Sequence, residues 1–89
     1  MAKKYNRKDL KPGMKFWVID KDNCIDEYLV CPGPKDTISL RPPKHVKLTP
    51  TVAVTILDTT AKYTERRYAK QALRRAGLSE HKPSTVHYS

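Results

Sequence analysis

Turn-forming residues divide the first fifty positions of this chain into segments that are no longer than an average helix. Proline and glycine stand at positions 12–13, 32–34, 42–43 and 50, and the polar residues 20–23 form a further turn. Proline presets φ at the first central position of a tight turn, and glycine tolerates positive φ at the next. The segments between these turns have the usual length of β-strands. The spacing therefore predicts several short strands joined by tight turns.

Alternation of apolar and polar side chains locates the first strands. Residues 14–20 place Phe16 and Val18 on one face, and residues 24–31 have the pattern of an antiparallel return strand. Shorter strands are predicted at residues 37–41 and 45–49, where apolar residues again alternate.

The segment TVAVTIL at residues 51–57 is the most β-prone stretch of the chain. Its Val52, Val54 and Ile56 alternate onto one face, which predicts a further strand. Pro50 either separates this strand from the one before it or marks a bulge in a single edge strand. Whether the chain self-associates through this edge stays open.

Residues 64–78 (TERRYAKQALRRAGL) predict one amphipathic helix over residues 64–76. At about 100° per residue, small apolar side chains fall on one face and cations on the other. Thr64 suits the N-cap, Gly77 suits a left-handed C-cap, and Leu78 can close back onto Leu73 as in a Schellman motif. The apolar face is mostly alanine, which favours docking on a sheet over insertion into a membrane.

Short strands followed by one helix predict an α+β domain. The preferred architecture is a small antiparallel, strongly bent sheet or SH3-like barrel of four to five strands, with one C-terminal amphipathic helix packed on it. A flat meander covered by the helix is the alternative.

We expect a basic N-terminal arm at residues 1–10, a single β-rich domain at residues 11–78 and a flexible polar tail at residues 79–89. With 89 residues, of which 38% are hydrophobic, the core is modest.

Positive charge is concentrated in two parts of the sequence. The chain has 18 Lys and Arg against 9 Asp and Glu, a formal net charge of +9. Residues 1–15 and residues 61–75 each hold six cations and one acid, whereas residues 16–31 hold four acids and one lysine. Arginine predominates in the helix, and its guanidinium suits phosphate oxygens. This uneven distribution predicts a polyanionic partner.

The two basic segments indicate a small nucleic-acid-binding protein that contacts the phosphate backbone of DNA or RNA. No helix-turn-helix, RRM or KH pattern occurs, so binding without sequence specificity is expected. The candidate phosphate-binding residues are Lys3, Lys4, Arg7, Lys8, Lys62, Arg66, Arg67, Lys70, Arg74 and Arg75. Trp17 and Tyr63 are candidates for stacking on bases. The choice between DNA and RNA stays open, as does whether the two basic segments meet in space.

A protein–protein interaction module is the alternative function. Such a module would be a small phage-type inhibitor or adaptor that docks on an acidic surface of a larger enzyme. Short, basic, stand-alone chains are common among phage accessory proteins, and only this association supports a viral origin.

Catalytic and metal chemistry find little support in the sequence. Cys24 and Cys31 are seven residues apart, His45 is isolated, and no paired Cys or His spacing occurs, so we expect no metal and no cofactor. No nucleophile stands beside a base, which argues against an enzyme. The alternating acids of residues 20–26 lack the glycine and glutamate of a calcium loop.

The absence of a membrane-spanning run and of a secretory signal predicts a cytoplasmic protein with reduced thiols.

Overall fold

The computed structural model describes residues 3–81. Its strands are β1 (Lys4–Tyr5), β2 (Lys15–Ile19), β3 (Ile25–Pro32), β4 (Ile38–Arg41) and β5 (Lys62–Tyr63). Two α-helices are described, α1 (Pro50–Asp58) and α2 (Arg66–Arg75), and a 3₁₀ helix spans Arg7–Asp9. The α+β class is confirmed, and the single predicted helix is accompanied by a second one.

One antiparallel sheet holds the five described strands in the order β1-β5-β2-β3-β4. The β2–β3 hairpin pairs Phe16 with Tyr28 and Val18 with Asp26. The short strand β5 lies between β1 and β2. Within residues 3–81 the edge strands β1 and β4 do not pair with each other, so the sheet is open and the predicted barrel closure is not found.

The main core lies between one face of this sheet and α1. Phe16 and Tyr28 stack with ring centroids 5.5 Å apart, and Ile56 and Leu57 of α1 are buried in the same cluster. The complete cluster is Leu10, Phe16, Val18, Tyr28, Val30, Ile56 and Leu57.

The second helix, α2, covers part of the opposite face. Because side chains alternate along a strand, Trp17 points away from the core that contains Phe16, and its register partner Tyr63 lies on the same side. The helix packs against β2, β3 and β5, and buries Ala69 and Leu73. The predicted docking of its small apolar face on a sheet is therefore confirmed.

The strand predicted at residues 51–57 is wrong, because this segment forms α1. Thr49 is the N-cap, and its Oγ1 accepts the N–H of Val52 at 3.2 Å. Pro50 occupies the first helical turn, where its fixed φ is helical and its missing N–H costs nothing. The burial of Ile56 and Leu57 in the core then outweighs the β preference of the segment.

Two further expectations need correction. Residues 45–49 form a turn and irregular backbone, not a strand, since Val46 and Leu48 pack against the core from a loop. The segment predicted as a basic arm contributes β1, and its last residue, Leu10, is 6% exposed in the core. Most of the predicted tail, residues 82–89, lies outside the described residues.

The C-terminus of α2 has the predicted capping geometry. Gly77 has φ +73°, and its N–H donates to the carbonyl of Arg74 at 3.0 Å. The N–H of Leu78 donates to the carbonyl of Leu73 at 2.9 Å, which completes a Schellman motif. At the other end, Glu65 and not the predicted Thr64 is the N-cap residue.

Replacing Gly77 with alanine is expected to lower the free energy of unfolding by about 1 kcal/mol. The added methyl group would meet no atom within 4 Å beyond the adjoining residues, so the cost comes from the left-handed φ alone. Urea denaturation measures it. Gly77→Asn is the control, because asparagine tolerates this conformation and should recover part of the loss. Equal stability of Gly77→Ala and the native protein would contradict the assignment.

Candidate nucleic-acid interface

The N-terminal basic segment and α2 meet in space. Lys3 Nζ lies 3.5 Å from Oε1 of Gln71, 68 residues further along the chain, and 5.4 Å from the ring centroid of Tyr68. The N–H of Thr64 donates to the carbonyl of Lys3 at 2.9 Å, which extends the β1–β5 pairing to the start of α2. Two segments that are distant in sequence thus contribute to one surface.

Six cations form this surface, which we call the cationic surface. Its members are Lys3, Lys4, Arg67, Lys70, Arg74 and Arg75, all of them exposed. On α2 they lie away from the buried Ala69 and Leu73, as the helical periodicity predicts. Among the described residues, only Arg67 of these six has an ion-pair partner, and the other five side chains have none. Their charges are therefore available to an external anion.

Tyr68 lies within the cationic surface and holds two of its cations. The guanidinium of Arg67 lies 4.9 Å from the ring centroid of Tyr68, and Lys3 approaches the same ring. Arg67 Nε also lies 3.0 Å from Oε1 of Glu65. Hydrogen bonds to Glu65 and Tyr68 raise the pKa of Arg67. By helical periodicity Tyr68 lies at the border between the apolar and the cationic face of α2, so the sequence pattern alone does not single it out.

Three of the predicted cations lie elsewhere. Arg66 is ion-paired with Glu80, beside α2. Arg7 is ion-paired with Asp58, at the end of α1. Lys8 lines a separate cleft with Asp36 near the start of β4. The structure therefore does not bring these three residues into the cationic surface.

Lys62 was predicted to contact phosphate, but its side chain is buried and contacts backbone carbonyls instead. Its residue is only 4% exposed, and its Nζ donates to the carbonyls of Ile56 (3.2 Å), Leu57 (2.8 Å) and Thr60 (2.9 Å). Burial lowers the pKa of this ammonium group. Because the last carbonyls of a helix have no partner within it, Lys62 stabilises the C-terminus of α1.

Neither predicted stacking residue presents an open ring. Tyr63 is 9% exposed, and Lys4 Nζ lies 5.6 Å from its ring centroid. Trp17 is half-buried and stands between Tyr63 and Glu27 in the sheet register. The surface therefore offers charge to a nucleic acid and little aromatic area for stacking.

A second polar cluster lies on the α1 side of the sheet. His45 Nε2 is 2.8 Å from Oδ1 of Asp26, which is 2% exposed, and Asp20 is their neighbour. The pKa of Asp26 is raised to about 6, mainly by burial; the hydrogen bond to His45 opposes this shift, and nearby Asp20 adds to it. This cluster is not evident in the sequence, because His45 reaches Asp26 only when the loop that follows β4 folds back over the sheet.

This cluster borders a cleft of about 550 Å³ between the sheet and α1. Asp20 and Asp26 line one side of the cleft, and Lys21 lies nearby. The rest of the lining is largely apolar, with contributions from Val18, Ile19, Tyr28, Val46, Val52 and Ile56.

Comparisons of the chain with protein-family models, with curated protein sequences and with solved structures find no match in any of the three. Within residues 3–81, no helix is both long and apolar enough to cross a bilayer. The function is therefore inferred from the chemistry of the two polar sites.

Proposed function

We propose that this protein binds nucleic acid through the cationic surface, mainly by contacts to phosphate. The observation that carries the proposal is the approach of Lys3 to Gln71 and Tyr68 of α2, which joins two basic segments into one surface. A surface of this kind neutralises several phosphates at once and releases their counterions, which drives association.

The arrangement of the cations along α2 supports contact with more than one phosphate. Arg67 and Arg74 are two turns apart, roughly 10 Å at about 1.5 Å of rise per residue, and Lys70 lies between them. Duplex DNA carries one charge per about 1.7 Å of axis, so this span faces several phosphates. Arginine adds directional hydrogen bonds to phosphate oxygens.

The same surface favours backbone contacts over base recognition. Tyr63 is buried and Trp17 is half-buried, so stacking contributes little. We therefore expect duplex DNA and structured RNA to bind at least as tightly as single strands, since their phosphate charge density is higher.

A salt titration tests the proposal. Fluorescence anisotropy with labelled duplex DNA, single-stranded DNA and structured RNA would give the affinity between about 50 and 300 mM salt. Six phosphate contacts correspond to a slope of log affinity against log salt of about −5 for duplex DNA. Absence of binding to all three at the lowest salt, or a slope near zero, would overturn the proposal.

An acidic protein surface offers the same charge complementarity, which a capture experiment distinguishes. We expect material captured by the tagged chain to be lost after nuclease treatment. A stoichiometric protein partner that survives the nuclease would replace this proposal with the adaptor or inhibitor function.

A further inference from the structure

We propose that Asp20, Asp26 and His45 form a binding site for a divalent metal ion of the zinc type, at the edge of the cleft between the sheet and α1. The three side chains offer two carboxylate oxygens and one imidazole nitrogen, and these ligand atoms all lie within 4.8 Å of one another. Zinc accepts this combination of ligands readily. The inference is independent of the nucleic-acid function.

The distances are close to those of a bound ion. Metal–ligand bonds of about 2.0–2.2 Å place neighbouring ligand atoms roughly 3–3.5 Å apart. His45 Nε2 and Asp26 Oδ1 are already 2.8 Å apart. His45 is exposed and Asp20 is half-buried, so small rotations of these two side chains would complete the site around the buried Asp26.

Charge gives a second reason to expect a cation here. Asp26 is 2% exposed and Asp20 lies beside it, so two carboxylates share a poorly solvated space. One imidazole can balance at most one of the two negative charges, and Lys21, which lines the cleft, is exposed to water. A divalent ion would compensate both carboxylates and offset the cost of burying Asp26.

The turn between β2 and β3 already orients the first ligand. Asp20 Oδ1 accepts the N–H of Asp22 at 2.8 Å and the N–H of Cys24 at 3.0 Å. These bonds hold the carboxylate of Asp20 in place beside Asp26, as hydrogen bonds to metal-ligating carboxylates commonly do. Three protein ligands would leave a fourth tetrahedral position for water or a small ligand from the cleft.

Isothermal titration of the metal-stripped, full-length chain with Zn²⁺ tests the site, and Co²⁺ absorption reports its geometry. We expect one ion per chain and the visible bands of tetrahedral Co²⁺. Asp20→Asn and His45→Gln should each weaken Zn²⁺ binding at least tenfold, since ligand loss costs at least as much as loss of a supporting hydrogen bond. Circular dichroism would verify that both variants remain folded.

Two matched controls separate this site from incidental binding nearby. Asp22→Asn removes an exposed carboxylate of the same turn. His81→Gln removes the imidazole of a residue that lies beside this turn, since the backbone N–H of His81 donates to the carbonyl of Asn23. Both should leave Zn²⁺ affinity unchanged within twofold. No Zn²⁺ binding by the native chain, or an equal loss in the controls and the ligand variants, would overturn the proposal.

Discussion

Replacing Lys62 with methionine is expected to lower the free energy of unfolding by about 3 kcal/mol. Methionine retains much of the buried aliphatic volume but cannot donate hydrogen bonds. The carbonyls of Ile56, Leu57 and Thr60 would each lose the ammonium donor, in a site that is 4% exposed. The buried lysine thus contributes most by satisfying these acceptors, although its own desolvation is costly. Urea denaturation monitored by circular dichroism measures the change.

The matched control for this prediction is Lys70→Met, which removes the same charge from an exposed position on α2. It should change the unfolding free energy by less than about 0.5 kcal/mol, as is usual for a surface substitution. Equal stability of the two variants would show that Lys62 is not a structural cap. At temperatures where it is still folded, Lys62→Met should retain the native salt dependence of nucleic-acid binding, because Lys62 lies outside the cationic surface.

The elements that sequence analysis predicted correctly depend on local interactions. The β2–β3 hairpin follows from alternation on both sides of a polar turn, and its register places Phe16 opposite Tyr28. The helix α2 follows from its periodicity and from Gly77, whose left-handed φ ends it. In both cases the residues that decide the structure lie within a few positions of one another.

The error at α1 arose because two local preferences conflicted there. β-Branched residues favoured a strand, whereas Thr49 and Pro50 have the chemistry of a helix N-terminus. Tertiary packing favours the helix, because Ile56 and Leu57 of α1 complete the hydrophobic core. β-Propensity largely reflects such surroundings, so composition alone could not resolve the conflict.

The sites were only partly predictable because each depends on contacts between distant segments. Periodicity identified the exposed cations of α2, but the approach of Lys3 depends on the pairing of β1 with β5. The same strand β5 turns Lys62 inward, to the carbonyls of α1. His45 likewise reaches Asp26 across the sheet. The type of a residue indicates its chemistry, whereas its contact partner can be named only once the order and pairing of the strands are known.

Replacing Lys70, Arg74 and Arg75 together with glutamine is expected to reduce the magnitude of the salt slope for duplex DNA by about 2.7, since each lost phosphate contact removes about 0.9. If the two titration lines converge near 1 M salt, the variant binds roughly 500-fold more weakly at 0.1 M. These three cations have no ion-pair partner among residues 3–81, so their removal breaks no described salt bridge. Glutamine also preserves helix propensity.

The control for this triple variant removes the same charge from elsewhere on the chain. Lys8, Lys44 and Lys47 are exposed and lie outside the cationic surface, in the 3₁₀ helix and in the loop before α1. Their joint replacement with glutamine lowers the net charge equally, yet the salt slope should change by less than about one unit because few of these residues contact phosphate. An equal loss of slope in both triple variants would mean that net charge alone drives binding. In that case α2 and Lys3 would have no particular role in contacting the nucleic acid.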